Sequence, residues 1–412
     1  MTVITLEIER PLYRGFFLAR HQGKIVMVKG PVMTGETVEA IIEEDRKDYF
    51  IASAIKIIDP SPERISPPCI YFSVCGGCHF QHIPYDLQVK IKEEVLQDCL
   101  QRIMKTDIAL SESMINTNQW NYRLRGQFKV SAEGIGLHKR STRDVVKTDR
   151  CLLMSKEINN HIQRANDIVR RLKIREFHIT HGDCLIAMII TRKSALTDEE
   201  AERLASDLMS GGLSGLTILR GDLQPLIFGK SFTTLDHLGL QYTISPQSFV
   251  QNNWVLNQAV ISFVRQKLKP RNGIKILDFY AGAGNFSLPL AGDAEVVAVE
   301  GNKHAIQDGL RNLEINSIRN YRFVRSTAEK YKTDDKYDTI ILDPPRPGLT
   351  KRAMENVLSM LPERIVYLSC NPTTFARDMK KLIGTYDTES ISMIDFFPQT
   401  FHIEALAFLH LR

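Results

Sequence analysis

From Gly273 onward, short apolar runs alternate with segments of helical spacing: IKILDFY, EVVAVE, YRFVR, YDTIILD, RIVYLSC and a final EALAFLHL. Few folds accommodate that alternation. Neighbouring strands that run the same way need a crossover between them, and the crossover helices then cover both faces of the sheet. A doubly wound, mostly parallel α/β domain is therefore predicted over residues 250–412, with ligands bound beyond the carboxyl ends of its strands. Those strand ends are where the unusual residues cluster.

Two other textures precede it. Residues 3–58 read as short alternating strands broken by Gly15, Gly23, Gly30-Pro31 and Gly35, which predicts a small antiparallel barrel over 1–60. The four prolines of PSPERISPPC disfavour helix and ladder alike and mark a boundary. Residues 61–249 are expected to form a mixed α+β central domain. Its helix at 85–103 carries one apolar face, with Leu87, Ile91, Val95, Cys99 and Ile103, that is free to pack on the C-terminal domain. Hydrophobic residues at 43% and charged residues at 25% of 412 exclude global disorder and a coiled-coil rod. No apolar run approaches the roughly 20 residues needed to cross a bilayer. Glu7, Glu9 and Arg10 stand where a signal peptide would need an apolar core, so a cytoplasmic protein without a membrane partner, acting as a monomer, is expected. The net charge of +5 permits an RNA partner without demanding one.

ILDFYAGAGNF places Asp278 at a strand end, with Gly282 and Gly284 in a turn that leads into a helix. A dinucleotide loop needs a third glycine where Ser287 stands, and no phosphate-binding lysine follows. Glu300, at the end of the next strand, can accept both hydroxyls of a ribose. An adenosine attached to something other than phosphate is the better ligand, and the loop resembles that of class I S-adenosylmethionine methyltransferases. The competing reading is an ordinary tight turn.

Cys370 directly follows an apolar strand in YLSCNPTTFARD, where a helix N-terminus favours a thiolate. Asp343 ends another strand, followed by Pro344, Pro345 and Arg346, and Glu404 starts the last one, two residues after His402. A thiol, a carboxylate and a methyl donor suit a definite chemistry. Carbon 5 of uracil is a poor nucleophile until a thiolate adds to carbon 6, and the carbon 5 proton must then leave to a base. Asp343-Pro344-Pro345 alone is also compatible with an amino-group methylase, although Arg346 replaces the aromatic residue such enzymes place next.

The segments DFYAGAGNF, DPPR, SCNP and the terminal His-x-Glu, in this order, resemble the RNA uracil-5 methyltransferase family over nearly the whole chain. The resemblance implies a class I S-adenosylmethionine methyltransferase domain, Cys370 as nucleophile and Glu404 as general base. It also implies cofactor contacts at Gln251, Tyr280, Asn285, Glu300 and Asp343. The contact after the third strand, near Ser326, stays unassigned. RNA is the implied substrate, with 23S ribosomal RNA first and transfer RNA second. A third reading is a non-catalytic RNA-binding factor.

Cys69, Cys75 and Cys78 flank Gly76-Gly77, and Cys151 is the candidate fourth ligand of a shared centre. Spacing alone leaves zinc and iron-sulfur open. Resemblance to the members that act on large-subunit ribosomal RNA implies a [4Fe-4S] cluster. Cys99 and Cys184 are expected to be buried and inert. The N-terminal barrel resembles a TRAM domain, an OB-like RNA-binding module, with Tyr13, Phe16 and Phe17 as its rings. Between 120 and 151, Arg123, Arg125, Lys129, Lys139, Arg140, Arg143, Lys147 and Arg150 interleave with Trp120, Tyr122 and Phe128, a pattern that suits phosphates and splayed bases.

Overall fold

In the computed structural model, which describes residues 2–106, 108–169, 172, 174–192 and 196–412, residues 3–59 form a first sheet. Its strands are β1 (Val3–Glu7), β2 (Arg10–Leu12), β3 (Phe16–His21), β4 (Lys24–Lys29), β5 (Thr37–Asp45) and β6 (Tyr49–Asp59), bonded in the order β1-β5-β6-β4-β3-β2. β1 and β2 stand at opposite ends of that order, yet only Ile8 and Glu9 separate them in the chain. The sheet must therefore curl until its edges meet. Alternate residues such as Ile4, Leu6, Val26, Val28 and Val38 fill the curl. One pairing departs from the antiparallel expectation: β6 returns beside β4 in the same direction, because β5 lies on the far side of β6.

Helix α1 (Tyr85–Met104) starts after Pro84 and ends where Lys105 turns left-handed. It carries two apolar stripes where the sequence suggested one. Leu87 and Ile91 pack into the first sheet, whereas Val95, Leu96, Leu100 and Met104 belong to the core of the C-terminal sheet. Between the stripes, Gln88 and Lys92 are wholly buried.

The central region is a seven-stranded sheet. It is built from β7 (Arg125–Ser131), β8 (Gly134–His138), β9 (Val145–Lys147), β10 (Ile174–His181), β11 (Leu185–Thr191), β12 (Gly215–Arg220) and β13 (Leu226–Gly229). Helices α2 (Lys156–Val169) and α3 (Asp198–Ser210) add Ile158, Ile162, Leu204 and Leu208 to its core. A hairpin of β14 (Thr233–His237) and β15 (Leu240–Ile244), then α4 (Trp254–Leu268), leads into the C-terminal sheet.

That sheet has β16 (Lys275–Phe279), β17 (Glu295–Glu300), β18 (Tyr321–Arg325), β19 (Thr339–Leu342), β20 (Arg364–Ser369), β21 (Tyr386–Ile394) and β22 (Glu404–Leu411), ordered β18-β17-β16-β19-β20-β22-β21. The first five are parallel, and β22 runs antiparallel between β20 and β21. Helices α5 (Lys303–Ile315), α6 (Lys351–Met360) and α7 (Pro372–Leu382) join the strands. The expected doubly wound class holds, with a crevice between β16 and β19, where the strand order reverses. β21 escaped the sequence reading because YDTESISMI begins too polar. The helix expected after Gly284 is a run of turns ending in a 3₁₀ turn at Leu288–Leu290. Tyr280, Gly282 and Gly284 all have positive φ there, which an α-helix cannot tolerate.

Candidate active site

A pocket of about 60 Å³ opens at the carboxyl ends of β16 and β19. Gln251, Tyr280, Asn285 and Asp343, four residues singled out by the sequence, line it together with Asp278 and Gly282. Glu300 is not in the lining. Its two carboxylate oxygens accept the backbone N–H groups of Gly282 (2.9 Å) and Asn302 (2.6 Å), so it shapes the glycine turn. Asn285 exchanges two amide hydrogen bonds with Asn257, at 2.8 and 3.1 Å. The Oε1 atom of Gln251 is buried without a hydrogen-bond partner in the protein, a cost that a polar ligand would remove.

Among the described residues no lysine, arginine or histidine lines this pocket, but two aspartates do. Burial pushes Asp278 up to about 8, against a hydrogen bond from Ser287, with Asp343 and Glu300 adding to the rise. Burial alone pushes Asp343 up to about 7. Such a cavity disfavours phosphate and suits a ligand with cationic centres among aromatic walls. Tyr242, Phe249, Trp254 and Phe286 supply those walls. Sequence reasoning missed Tyr242 and Trp254, because the hairpin and α4 carry no motif that announces their return over the sheet, whereas Phe286 closes the DFYAGAGNF segment.

Cys370 leaves β20 just before Asn371, which caps α7 by accepting from Thr373 N. Glu404 opens the neighbouring strand β22 and is 6% exposed. Burial, then the charges of Glu404 and Asp343, push the Cys370 thiol up to about 11, while Arg346 pulls it down. Burial and then Asp343 push Glu404 up to about 8, again opposed by Arg346. Cys370, Glu404, Asp343 and Arg346 are thus one electrostatic group at adjacent strand ends.

The loop bearing Arg346 is fastened to α7. Asn371 Nδ2 and Thr374 Oγ1 each donate to Arg346 O at 3.1 Å, and Arg377 donates to Pro347 O at 2.9 Å. Asp378, wholly buried, accepts from Leu349 N and Tyr367 Oη, both at 2.8 Å. His402 packs between Phe397 and Phe401, and burial, reinforced by Arg346, Arg123 and Lys92, pushes it down to about 4. It is a neutral wall at physiological pH.

The helix α1 contributes from below. Lys92 and Asp395 form an ion pair at 2.6 Å with both side chains fully buried, and Lys92 also donates to Phe397 O at 3.0 Å. Gln88 accepts from Gln399 N at 2.9 Å. Two side chains of one helix therefore hold the segment that runs into Glu404.

Cys69, Cys75, Cys78 and Cys151 line a separate pocket with Phe72, Gly77 and Arg123. Burial raises the thiols of Cys75 and Cys151 and pushes Cys78 up to about 12, and neighbouring cysteines raise each of them further. Among the described residues no group of three or more His, Cys, Asp or Glu side chains is arranged to hold a metal ion. Cys99 is buried, as expected, but Cys184 is only half-buried, 3.7 Å from Thr233 Oγ1.

The basic stretch needs correction. Arg125 is a core residue, donating to Thr180 Oγ1 at 2.9 Å and Ser245 O at 2.8 Å as well as to Ser248 O. Phe128 and Tyr122 are buried too, Phe128 in the central core and Tyr122 with its hydroxyl on Pro398 O at 3.1 Å. Lys129 pairs with Glu176 at 2.7 Å, and Arg140 donates to Cys78 O at 2.9 Å. Lys139, Arg143 and Arg150 remain as exposed cations. Arg123 bridges the two regions, lining the cysteine pocket and a groove of about 810 Å³ that it shares with Phe249, Val250 and His178. No helix among the described residues is long and apolar enough to cross a membrane.

Residues 84–412 match the family model described as tRNA (Uracil-5-)-methyltransferase. A 23S rRNA (uracil(1939)-C(5))-methyltransferase of Salmonella typhi is 31% identical over 421 residues, 98% of this chain and 95% of the relative. An uncharacterized RNA methyltransferase of Aquifex aeolicus is 31% identical over 99% of both chains. Among solved structures, the Pyrococcus abyssi tRNA (uracil-54, C5)-methyltransferase in complex with S-adenosyl-L-homocysteine superposes with a TM-score of 0.78. It is 26% identical, covering 98% of this chain and 99% of that one.

Proposed function

The chain belongs to the tRNA (uracil-5-)-methyltransferase family and is an S-adenosylmethionine-dependent RNA uracil-5 methyltransferase; we propose that it methylates 23S ribosomal RNA through a covalent adduct on Cys370. The observation that carries the mechanism is the clustering of Cys370, Glu404, Asp343 and Arg346 at adjacent strand ends. The near-full-length similarity to a 23S rRNA enzyme favours that RNA, while the structural neighbour keeps transfer RNA as the second reading.

The largely apolar pocket, with no cation among the described residues that line it, fits S-adenosylmethionine, with Gln251, Tyr280, Asn285 and Asp343 as its contacts and Glu300 acting through the glycine turn. When bound, the cofactor supplies an electrophilic methyl group. Cys370 attacks carbon 6 of the uracil as a thiolate, a form that Arg346 favours. Carbon 5, made electron-rich by that addition, would take the methyl group as the sulfonium–methyl bond breaks and S-adenosyl-L-homocysteine leaves. Glu404 then takes the carbon 5 proton, and the C–S bond breaks to release the product. The target has to leave its stack to reach a half-buried thiol.

Cys69, Cys75, Cys78 and Cys151 are the proposed ligands of a [4Fe-4S] cluster. Four thiols around one pocket cannot ionise together without counter-charge, and a bound iron centre provides it. In this reading the cluster orders the central domain. The three-part organisation, 1–60, 61–249 and 250–412, with the first part a TRAM-type RNA module, is likewise our reading. The chain works in the cytoplasm as a monomer.

Replacing Cys370 with Ala and assaying 5-methyluridine in 23S rRNA tests the mechanism. Product is expected to vanish while cofactor binding persists. Full activity in that variant would remove the covalent step.

A further inference from the structure

The connection from β21 to β22 covers residues 395–403, and Gln399 stands at its centre. A link between antiparallel neighbours usually runs over the surface in a few residues. This one is buried: Asp395, Phe396, Gln399, Thr400 and Ile403 are each at most 2% exposed. Gln399 is also left-handed, with φ 70. A non-glycine residue in that region is strained, and such strain persists only where the surroundings impose it. Every polar atom of Gln399 is engaged. Its backbone N–H donates to Gln88 Oε1 at 2.9 Å, its Nε2 donates to Gln119 Oε1 at 2.7 Å, and its Oε1 accepts from Gln88 Nε2 at 3.0 Å. Its carbonyl accepts from His79 N at 2.8 Å and from Phe80 N at 3.1 Å. Helix α1, the segment that follows Cys78 and the approach to β7 thus meet at one residue. From that same approach, Tyr122 holds the preceding carbonyl, at Pro398.

What this connection delivers is Glu404, which closes it by pairing with Ile394. The register between β20 and β22 pairs Ser369 with Ala405, so one further step sets Cys370 opposite Glu404. Thr400 Oγ1 donates to Phe397 O at 2.9 Å and accepts from His402 N at 3.2 Å, which carries the constraint from Gln399 toward the base. Burial and the charges of Asp343 and Arg346 act on the Glu404 carboxyl, and none of these is a directional bond. Its place is therefore set by the backbone that bears it. We propose that Gln399 is a positioning residue for proton abstraction, holding the Glu404 carboxylate against carbon 5 of the bound uracil. In that step the proton passes from carbon 5 to the carboxylate, and the electron pair it leaves becomes the double bond between carbons 5 and 6. The bond from carbon 6 to sulfur breaks at the same time and returns Cys370 as a thiolate. Addition of Cys370 and methyl transfer come earlier and leave the carboxylate idle. The inference rests on the RNA uracil-5 reading given above, with Glu404 as its base.

The test uses the full chain and the RNA transcript that it methylates, 23S rRNA around position 1939 in our reading, made with uridine or with 5-deuterated uridine. Gln399→Asn keeps a residue that tolerates the left-handed backbone but is too short to reach both glutamines. It is expected to lower kcat about tenfold. The ratio kcat/KM for RNA should stay unchanged, because it reports only the steps up to the irreversible methyl transfer. The deuterium effect on kcat should rise, and so should the amount of Cys370–RNA adduct present at steady state. A variant that merely folds less well loses active enzyme, which lowers kcat and kcat/KM together and leaves the deuterium effect as in the wild type. That pattern, or an unchanged kcat, would overturn the proposal. Should Gln399→Asn fail to fold, Tyr122→Phe decides by the same criteria: it frees the Pro398 carbonyl without altering the connection, and kcat is expected to fall about threefold. Glu404→Gln separates the positioning role from the reading beneath it. No adduct in that variant strikes the base, whereas an adduct there with wild-type deuterium effects in the other variants strikes Gln399 alone.

Discussion

Glu404→Gln should make Cys370 more reactive toward a simple alkylating agent, but only at alkaline pH. In the free chain Glu404 is pushed up to about 8 and Cys370 to about 11, and the Glu404 charge is the second cause of the rise at the thiol, after burial. Below the Glu404 value its carboxyl is protonated, carries no charge and matches glutamine. Above that value the wild-type carboxylate opposes the thiolate and glutamine does not. If the lost charge is worth about one pKa unit, the thiolate population rises about tenfold. Each thiolate is then roughly threefold less nucleophilic, because intrinsic reactivity falls with pKa. The net expectation is alkylation about threefold faster in the variant well above pH 8, converging with wild type at pH ~6.5. Rates of iodoacetamide modification, followed at the Cys370 peptide by mass spectrometry, give the profile. A ratio that stays constant across the pH range would refute the electrostatic coupling of these two residues.

Binding of S-adenosylmethionine near neutral pH should release protons, since Asp278 and Asp343 are held up to about 8 and 7 by burial and a cationic ligand favours their ionised forms. Affinity should rise as pH rises through that window, and calorimetry in two buffers of different ionisation enthalpy should report release of about one proton, reduced in Asp343→Asn to the share that Asp278 supplies. Lys92→Met leaves Asp395 buried without its partner and should cost about 3–5 kcal/mol in denaturant unfolding, whereas Lys92→Met with Asp395→Leu should recover most of that loss. Protein purified without oxygen should be brown and contain iron and sulfide, and Cys151→Ala should remove both; zinc alone would contradict the cluster.

The parts of the site that follow strand ends were legible, because strand periodicity locates the ends and chemistry marks what stands there: Asp278, Asp343 and Cys370. Glu404 was legible for the same reason. The pocket walls Tyr242 and Trp254 were not, since their place depends on how a hairpin folds over a distant sheet. Charge patterning misled at Arg125, where the guanidinium serves carbonyls more than a hundred residues away in sequence. It misled at Phe128 too, which alternates inward along β7. Lys92 stands in no motif, and only the return of the 395–399 segment gives it a buried partner.

Unmodified RNA in which 5-fluorouridine replaces uridine tests the central claim most directly. Fluorine cannot leave carbon 5 as a proton does, so the bond from sulfur to carbon 6 should persist after methyl transfer. Digestion and mass spectrometry should then find a methylated fluorouridine nucleotide on the peptide that contains Cys370. RNA recovered intact, with that peptide unmodified in the presence of S-adenosylmethionine, would contradict the account.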